Sequence, residues 1–275
     1  MIKQNKEFGR LNQVVVCPPT YMKIDQVINE TQKYYEDDNI NVAKAMEQHK
    51  VFVEELRNQG AEVIELAAEP SLNEQVFTRD IGFVIGENLY TAKMGRKIRE
   101  PEIEALVTFL KSYSLTYESL YTHSIEGGDV IVAGDTVWIG ISERTTYEAV
   151  DSFQAFVKNK RLVPIPIRKD ILHLDCCFNL VSEKEGLIYS PAFEEKELQK
   201  LRERYDLIEV SDDEQFTLGT NVLSLGDQRI ISLPENKQVN QALRDRGYYV
   251  IEVPFSEIIK SGGSFRCCTM PLERG

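Results

Sequence analysis

The segment Ile125-Glu-Gly-Gly-Asp-Val-Ile-Val-Ala-Gly-Asp-Thr-Val-Trp-Ile-Gly140 reads as an acidic, glycine-containing turn followed by two apolar strands joined at Gly134-Asp135. Alternating and short apolar runs broken by a turn dipeptide are the signature of a β-hairpin. The same phrase recurs at Phe77-Thr-Arg-Asp-Ile-Gly-Phe-Val-Ile-Gly-Glu-Asn-Leu-Tyr90, at Leu172-His-Leu-Asp-Cys-Cys-Phe-Asn-Leu-Val-Ser-Glu-Lys-Glu-Gly-Leu-Ile-Tyr189, and at Leu218-Gly-Thr-Asn-Val-Leu-Ser-Leu-Gly-Asp-Gln-Arg-Ile-Ile231. Asp80, Asp129, Asp175, Thr220 and Cys267 hold equivalent places, separated by 49, 46, 45 and 47 positions. A period near 47 residues marks a repeat architecture.

Each hairpin is followed by helical spacing and then a short apolar strand, which makes a ββαβ unit. Ile103, Leu106, Val107 and Leu110 share one helical face in the first unit, and Val239, Ala242 and Leu243 do so before the strand Tyr248 to Val253 in the fourth. The fifth unit is split: Ser264 to Leu272 supplies its first part. The N-terminus supplies the rest, with a strand at Val14 to Cys17, a helix marked by Val42, Ala45, Met46, Phe52, Val53 and Leu56, and a strand at Ala61 to Leu66. Closing both termini into one blade removes free sheet edges. The expected fold is a five-bladed α/β propeller formed by residues 1–275 as a single domain. A doubly wound sheet would need simple βαβ alternation, and hairpins ahead of the helices do not fit it.

In such a ring the anchor residues converge at one end of the axis. His173 lies there, two residues from Asp175; on a strand both side chains would point the same way. Cys267 and Cys268 follow Gly262-Gly263, and strand alternation would turn one thiol to the axis and the other away. Glu126 and Asp129, with Asp80 and Asp175, add four carboxylates. Crowded acids resist ionisation unless a cation is bound, and a planar guanidinium matches paired carboxylates. Arg99 and Arg144 follow Asp80 and Glu126 by 19 and 18 positions, and could hold a substrate carboxylate if they curl over the rim. His49 and His123 fall in a helix and a polar connection, with no acidic anchor beside them.

The composition restricts partners. A formal charge of −12 without basic blocks argues against nucleic acid or an anionic membrane surface. No run reaches the ~18 apolar residues of a membrane span, and the first ten residues lack an apolar leader. Five cysteines, four of them in adjacent pairs, do not form a spaced disulfide framework and fit reduced thiols in a cytoplasmic protein. Zinc-ligand spacings such as Cys-x2-Cys are absent from the sequence, so no metal is expected. The oligomeric state is left open, a homodimer being one option.

With Phe77-Thr-Arg-Asp80, Glu126-Gly-Gly-Asp129, His173-Leu-Asp175 and Arg266-Cys-Cys-Thr-Met-Pro271 in that order, the chain resembles the pentein superfamily of dimethylarginine dimethylaminohydrolases, arginine deiminases and glycine amidinotransferases. The resemblance runs from Val14 to Pro271. It implies Cys267 as nucleophile, His173 as acid/base, and Glu126 as the carboxylate orienting the histidine or the guanidinium. It further implies Asp80 and Asp175 as guanidinium holders, Arg99 and Arg144 as carboxylate binders, and Asn29 in a lid-like loop. The implied reaction is hydrolysis of a guanidino C–N bond through a thiouronium adduct, giving a ureido product such as citrulline, without cofactor. Amidino transfer and non-catalytic arginine binding are the alternatives. The chain lacks the inserted helical domain of typical arginine deiminases, as the dimethylarginine hydrolases do. Asp175, in contrast, is a feature of members that grip an unmethylated guanidinium. Bacterial arginine dihydrolases are also similar at the N-terminus, but carry asparagine where this chain has Asp80.

Overall fold

The computed structural model describes residues 2–120 and 122–275. Its strands are β1 (Leu11–Val16), β2 (Glu62–Glu65), β3 (Gly82–Ile85), β4 (Asn88–Thr91), β5 (Glu118–Ser119), β6 (Val130–Ala133), β7 (Thr136–Ile141), β8 (Arg161–Pro166), β9 (Phe178–Leu180), β10 (Glu185–Ile188), β11 (Asp206–Glu209), β12 (Leu223–Gly226), β13 (Arg229–Ser232), β14 (Tyr249–Glu252) and β15 (Met270–Arg274). The helices are α1 (Glu30–Tyr34), α2 (Val42–Asn58), α3 (Thr78–Ile81), α4 (Glu100–Ser112), α5 (Tyr147–Gln154), α6 (Glu195–Arg202), α7 (Asp212–Phe216) and α8 (Lys237–Asp245).

The strands form five three-stranded sheets, ordered β3-β4-β5, β6-β7-β8, β9-β10-β11, β12-β13-β14 and β15-β1-β2. In each, an antiparallel pair is extended by a parallel strand reached through a helix. In the second blade Val130 pairs with Ile139, and Ile139 with Pro164. The split blade closes the ring: β15 runs antiparallel to β1, and β2 parallel to β1 across α2. This is the five-bladed propeller that the 47-residue repeat predicts.

The helices form where their apolar faces meet a sheet. Ala45, Phe52, Val53 and Leu56 of α2 are buried, and the Asn41 side chain caps the helix by accepting from the Lys44 amide. Phe52 meets Phe255 and Phe265 at ring-centroid distances of 5.3 and 5.2 Å, and Phe255 stacks on Phe265 at 4.5 Å. This aromatic block lies beneath the chain entering Cys267.

One expectation about local structure is corrected. His173 is extended, but Leu174–Cys176 is a tight turn, with Cys176 N–H donating to the His173 carbonyl at 3.1 Å. The Cys267-Cys268 pair also lies in a turn, with Cys268 N–H donating to Ser264 O at 3.0 Å; the strand begins only at Met270. Strand alternation therefore does not set the direction of either pair. The turns precede the hairpins because each chain must reverse at the axis before entering its sheet.

Candidate functional site

The anchor turns meet at one end of the axis, and their glycines allow it. A Cβ on Gly127 would run into the Arg79 carbonyl, and one on Gly128 would lie 2.6 Å from His173 Nδ1 and 2.9 Å from Asp80 Oδ1. The Glu126-Gly-Gly-Asp129 phrase thus serves close packing of three blades.

Around His173 the contacts are short and fully buried. Its Nε2 lies 2.7 Å from Glu126 Oε2, and its Nδ1 lies 3.6 Å from Asp80 Oδ1. Glu126 Oε1 accepts from the Gly95 amide at 2.8 Å and lies 3.6 Å from an Arg144 nitrogen. Burial by itself would lower the imidazole pKa, but Asp80, the Glu126 hydrogen bond and Asp129 outweigh it and raise it to about 10. Burial opposes ionisation of Glu126 as well, yet His173 and Arg144 hold that carboxyl below its usual range. The pair is an imidazolium facing a carboxylate.

Asp80 Oδ2 accepts from Arg99 at 2.6 Å, while its Oδ1 has no hydrogen-bond partner among the described residues. Arg99 is buried, forked onto Glu102 at 2.9 and 2.8 Å, so its donors fix Asp80 from behind and do not curl over a rim. Arg144 is buried too, and donates to the Ile28 carbonyl at 2.8 Å; its second terminal nitrogen, the one facing Glu126, has no hydrogen-bond partner among the described residues. Asp129 turns away from the cleft: its oxygens accept from the Leu174 amide at 2.9 Å and the Ser142 hydroxyl at 2.7 Å. Burial raises this carboxyl to about 6 despite His173 and those bonds. The geometry makes Asp129 a tether for the His173 turn, in place of the guanidinium contact expected from sequence.

Cys267 opens onto a narrow cleft, with about 10 Å³ of free space, together with Glu74, Phe77, Asp80, Arg144 and Asn29. Its Sγ lies 3.5 and 3.7 Å from the Asp175 oxygens and accepts from the Asn221 side-chain amide at 3.2 Å. Asp175 Oδ2 is also held by Arg266 at 2.5 Å, leaving Oδ1 toward the two neighbouring thiols. His173 does not line this cleft; it stands one layer deeper, reached through Asp80. Asn29 caps α1 and donates to the Ser261 carbonyl at 3.0 Å, which pins the N-terminal loop over the cleft. A wider vestibule of about 310 Å³, with Arg96, Arg144 and Lys169 in its wall, leads outward.

Three site residues escaped sequence reasoning. Glu74 precedes the first repeat, so periodicity could not mark it. Its carboxylate accepts from Gln32 and Ser261 at 2.8 and 2.9 Å, and burial raises it to about 7 although Arg99 opposes. Asn221 follows the fourth anchor, Thr220; its Oδ1 accepts from the Ser264 and Cys267 amides, both at 3.2 Å, while its amide reaches the thiol. Arg266 adjoins Cys267 and holds Asp175.

By spacing, two trios could each gather a cation: Asp80, Glu126 and His173, and Asp175, Cys176 and Cys267, each within 4.8 Å. Arginines already balance their carboxylates, Arg99 at Asp80, Arg144 at Glu126 and Arg266 at Asp175.

A five-bladed α/β propeller with cysteine, histidine and carboxylates gathered at one axial end defines the pentein superfamily, whose members modify guanidino groups through a cysteine nucleophile. The chain belongs to its dimethylarginine dimethylaminohydrolase family: the model described as N,N dimethylarginine dimethylhydrolase, eukaryotic, matches residues 18–274. It is 53% identical over 269 residues to the uncharacterized protein YkgA of Bacillus subtilis (strain 168), covering 98% of this chain and 94% of that one. Arginine deiminase of Listeria monocytogenes serotype 4a (strain HCC23) is 28% identical over 249 residues, with 72% of this chain and 60% of the relative covered. The fold matches the N-terminal domain of ArgZ, a cyanobacterial arginine dihydrolase solved bound to substrate, with a TM-score of 0.88 at 23% identity, covering 95% of this chain and 98% of that one. Among the described residues no helix is long and apolar enough to cross a membrane.

Proposed function

We propose that the protein is a hydrolase of the guanidino C–N bond of arginine or a methylated arginine, acting as one catalytic propeller unit without a cofactor. The observation that carries this reading is the cleft itself: the Cys267 thiol shares it with Asp80 and Glu74, next to Asp175. Acids of this density favour a delocalised cation, and an opposing thiol can reach its central carbon. The unpartnered Oδ1 of Asp80, and the Oδ1 of Asp175 that faces the two thiols, are suited to pair with guanidinium N–H groups.

In this reading Cys267 attacks the guanidinium carbon, and the charge is held by Asp80 and Asp175. His173, kept protonated by Asp80 and Glu126 one layer behind the cleft, supplies the proton that the departing nitrogen takes up by way of Asp80 Oδ1, leaving a thiouronium adduct. Water, losing its proton to His173, then adds and releases the ureido product. Asn221 holds the sulfur, and Arg144, which lines both the cleft and the vestibule while one terminal nitrogen faces Glu126 at 3.6 Å, is the cation that meets a substrate carboxylate entering from outside. Asn29 keeps the covering loop in place.

Asp175 beside the sulfur favours an unmethylated guanidinium end, because an N-methyl group there would leave a buried carboxylate oxygen unpaired. Arginine is accordingly expected to turn over faster than N,N-dimethylarginine. The deciding experiment incubates the protein with arginine, N,N-dimethylarginine and agmatine, and quantifies ureido product with ammonia and dimethylamine. Absence of product from all three overturns the reading. Added glycine or ornithine yielding a new guanidino compound would shift it to amidino transfer.

A further inference from the structure

Cys176 has no part in the reaction above, yet it stands beside the sulfur that does. The Sγ atoms of Cys176 and Cys267 and a carboxylate oxygen of Asp175 lie within 4.8 Å of one another, although the two cysteines are 91 positions apart in the chain. Cys176 Sγ points to Asp175 Oδ1 at 3.6 Å and the Gly262 carbonyl at 3.9 Å. The other thiols face elsewhere: Cys177 turns to the Leu174 carbonyl at 3.4 Å, and Cys17 and Cys268 are packed in apolar surroundings.

Access is also two-sided. Cys267 opens on the acidic cleft, whereas Cys176 lines a second surface cleft of about 210 Å³ with Arg168, Tyr189, Asp212 and Gln215. The thiol pair forms part of the partition between them, and Asn29 and Gly262 border both.

We propose that Cys176 and Cys267 are a modification site at which a hydroperoxide closes a reversible disulfide, with Cys267 as the attacking sulfur and Cys176 as the resolving one. The Cys267 thiolate attacks the outer oxygen of the hydroperoxide; the O–O bond breaks, the alcohol or water departs with a proton, and Cys267 becomes a sulfenic acid. Cys176 sulfur then attacks the Cys267 sulfur and the S–O bond breaks. The thiol proton leaves with the hydroxide as water. Two thiols lose two electrons and one peroxide gains them, so the balance closes. Rotation about the two side-chain bonds has to bring the sulfurs from at most 4.8 Å to a bond of about 2 Å. The disulfide would occupy the nucleophile and protect it from irreversible oxidation.

The test does not depend on the substrate. The full-length protein is treated with hydrogen peroxide, its remaining thiols are blocked with iodoacetamide, and unreduced peptides are mapped by mass spectrometry. The expected product is two hydrogens lighter, links the Cys176 and Cys267 peptides, and regains Cys267 alkylation after dithiothreitol. In Cys176→Ser the same treatment should add two oxygens to Cys267, and dithiothreitol should not restore it. Wild-type protein that forms sulfinic Cys267 with Cys176 still alkylatable, that joins Cys267 to another cysteine, or that leaves Cys267 unmodified under excess peroxide would overturn the proposal. Mapping the wild type decides the matter even where the variant misfolds.

Discussion

Glu7 and Glu74 are both buried glutamates near the propeller axis, and their surroundings drive them in opposite directions. The N-terminal segment crosses the hairpin ends of the blades, bridging Gln4 to Gly86 and Lys6 to Ala133. It places Glu7 among Arg79, Arg266 and Arg274, with Arg79 at 3.7 Å and Arg266 at 3.4 Å. Burial resists the charge on Glu7, but the three guanidiniums prevail and lower its pKa. Glu74 lies in the cleft, where Arg99 is shared with Asp80 and Glu102, and burial with those acids leaves it at about 7. One end of the axis is a plug whose charge is met from within the protein. The other is a cup whose charge is met only in part.

Breaking each end separately tests that contrast. At the cup, Cys267→Ser should lower turnover of the guanidino substrate by roughly 10³-fold or more while the denaturation midpoint stays near wild type, as read by product assay and urea titration. At the plug, Glu7→Gln removes the carboxylate that faces the buried guanidiniums of Arg79 and Arg274, while Arg266 keeps Asp175. It should cost about 3–5 kcal/mol in unfolding free energy, and any surviving folded protein should keep its KM. Equal loss of stability in the two variants would erase the distinction.

Smaller changes sharpen it. Asp80→Asn should reduce kcat/KM by about 10²-fold, since it weakens the pairing with a guanidinium and the field that keeps His173 charged. The imidazole pKa, followed by NMR, should fall from its raised position near 10. Glu74→Gln should have the mildest effect, with a sign set by pH. The Glu74 carboxyl is raised, so its attraction for a cation is present above about 7 and lost as pH falls through that value. Wild-type KM should therefore decrease as pH rises through 7. The variant should lose that inflection, with KM a few-fold higher at alkaline pH and near wild type at acidic pH.

Much of the site could be read from the repeat. Asp80, Glu126, His173, Asp175 and Cys267 occupy related places in different blades, and a 47-residue period brings such places together without coordinates. Asp129 shares an anchor position with Asp80, yet Ser142 and Leu174 claim both its oxygens. A position in the repeat fixes location at the axis, but not the direction in which a side chain points. Arg99 illustrates the same limit: its distance along the chain put it near Asp80, while only packing turned it inward onto Glu102. Glu74 lies outside the repeat and Asn221 one place past its fourth anchor, so the period did not single them out; their partners are 187 and 46 positions away, Ser261 and Cys267.

The amino-acid sequence by itself determined the ring of five ββαβ units, its closure by the two termini, and the end of the axis where the candidate site residues gather. These follow from period and apolar pattern, which are local and repeat along the chain. Tertiary structure alone decided which carboxylates stay open and which are tethers, that Glu7 is matched and Glu74 is not, and that Cys176 approaches Cys267. Those outcomes depend on burial and on charges brought together from distant positions, and a buried group's ionisation and partners are properties of its surroundings.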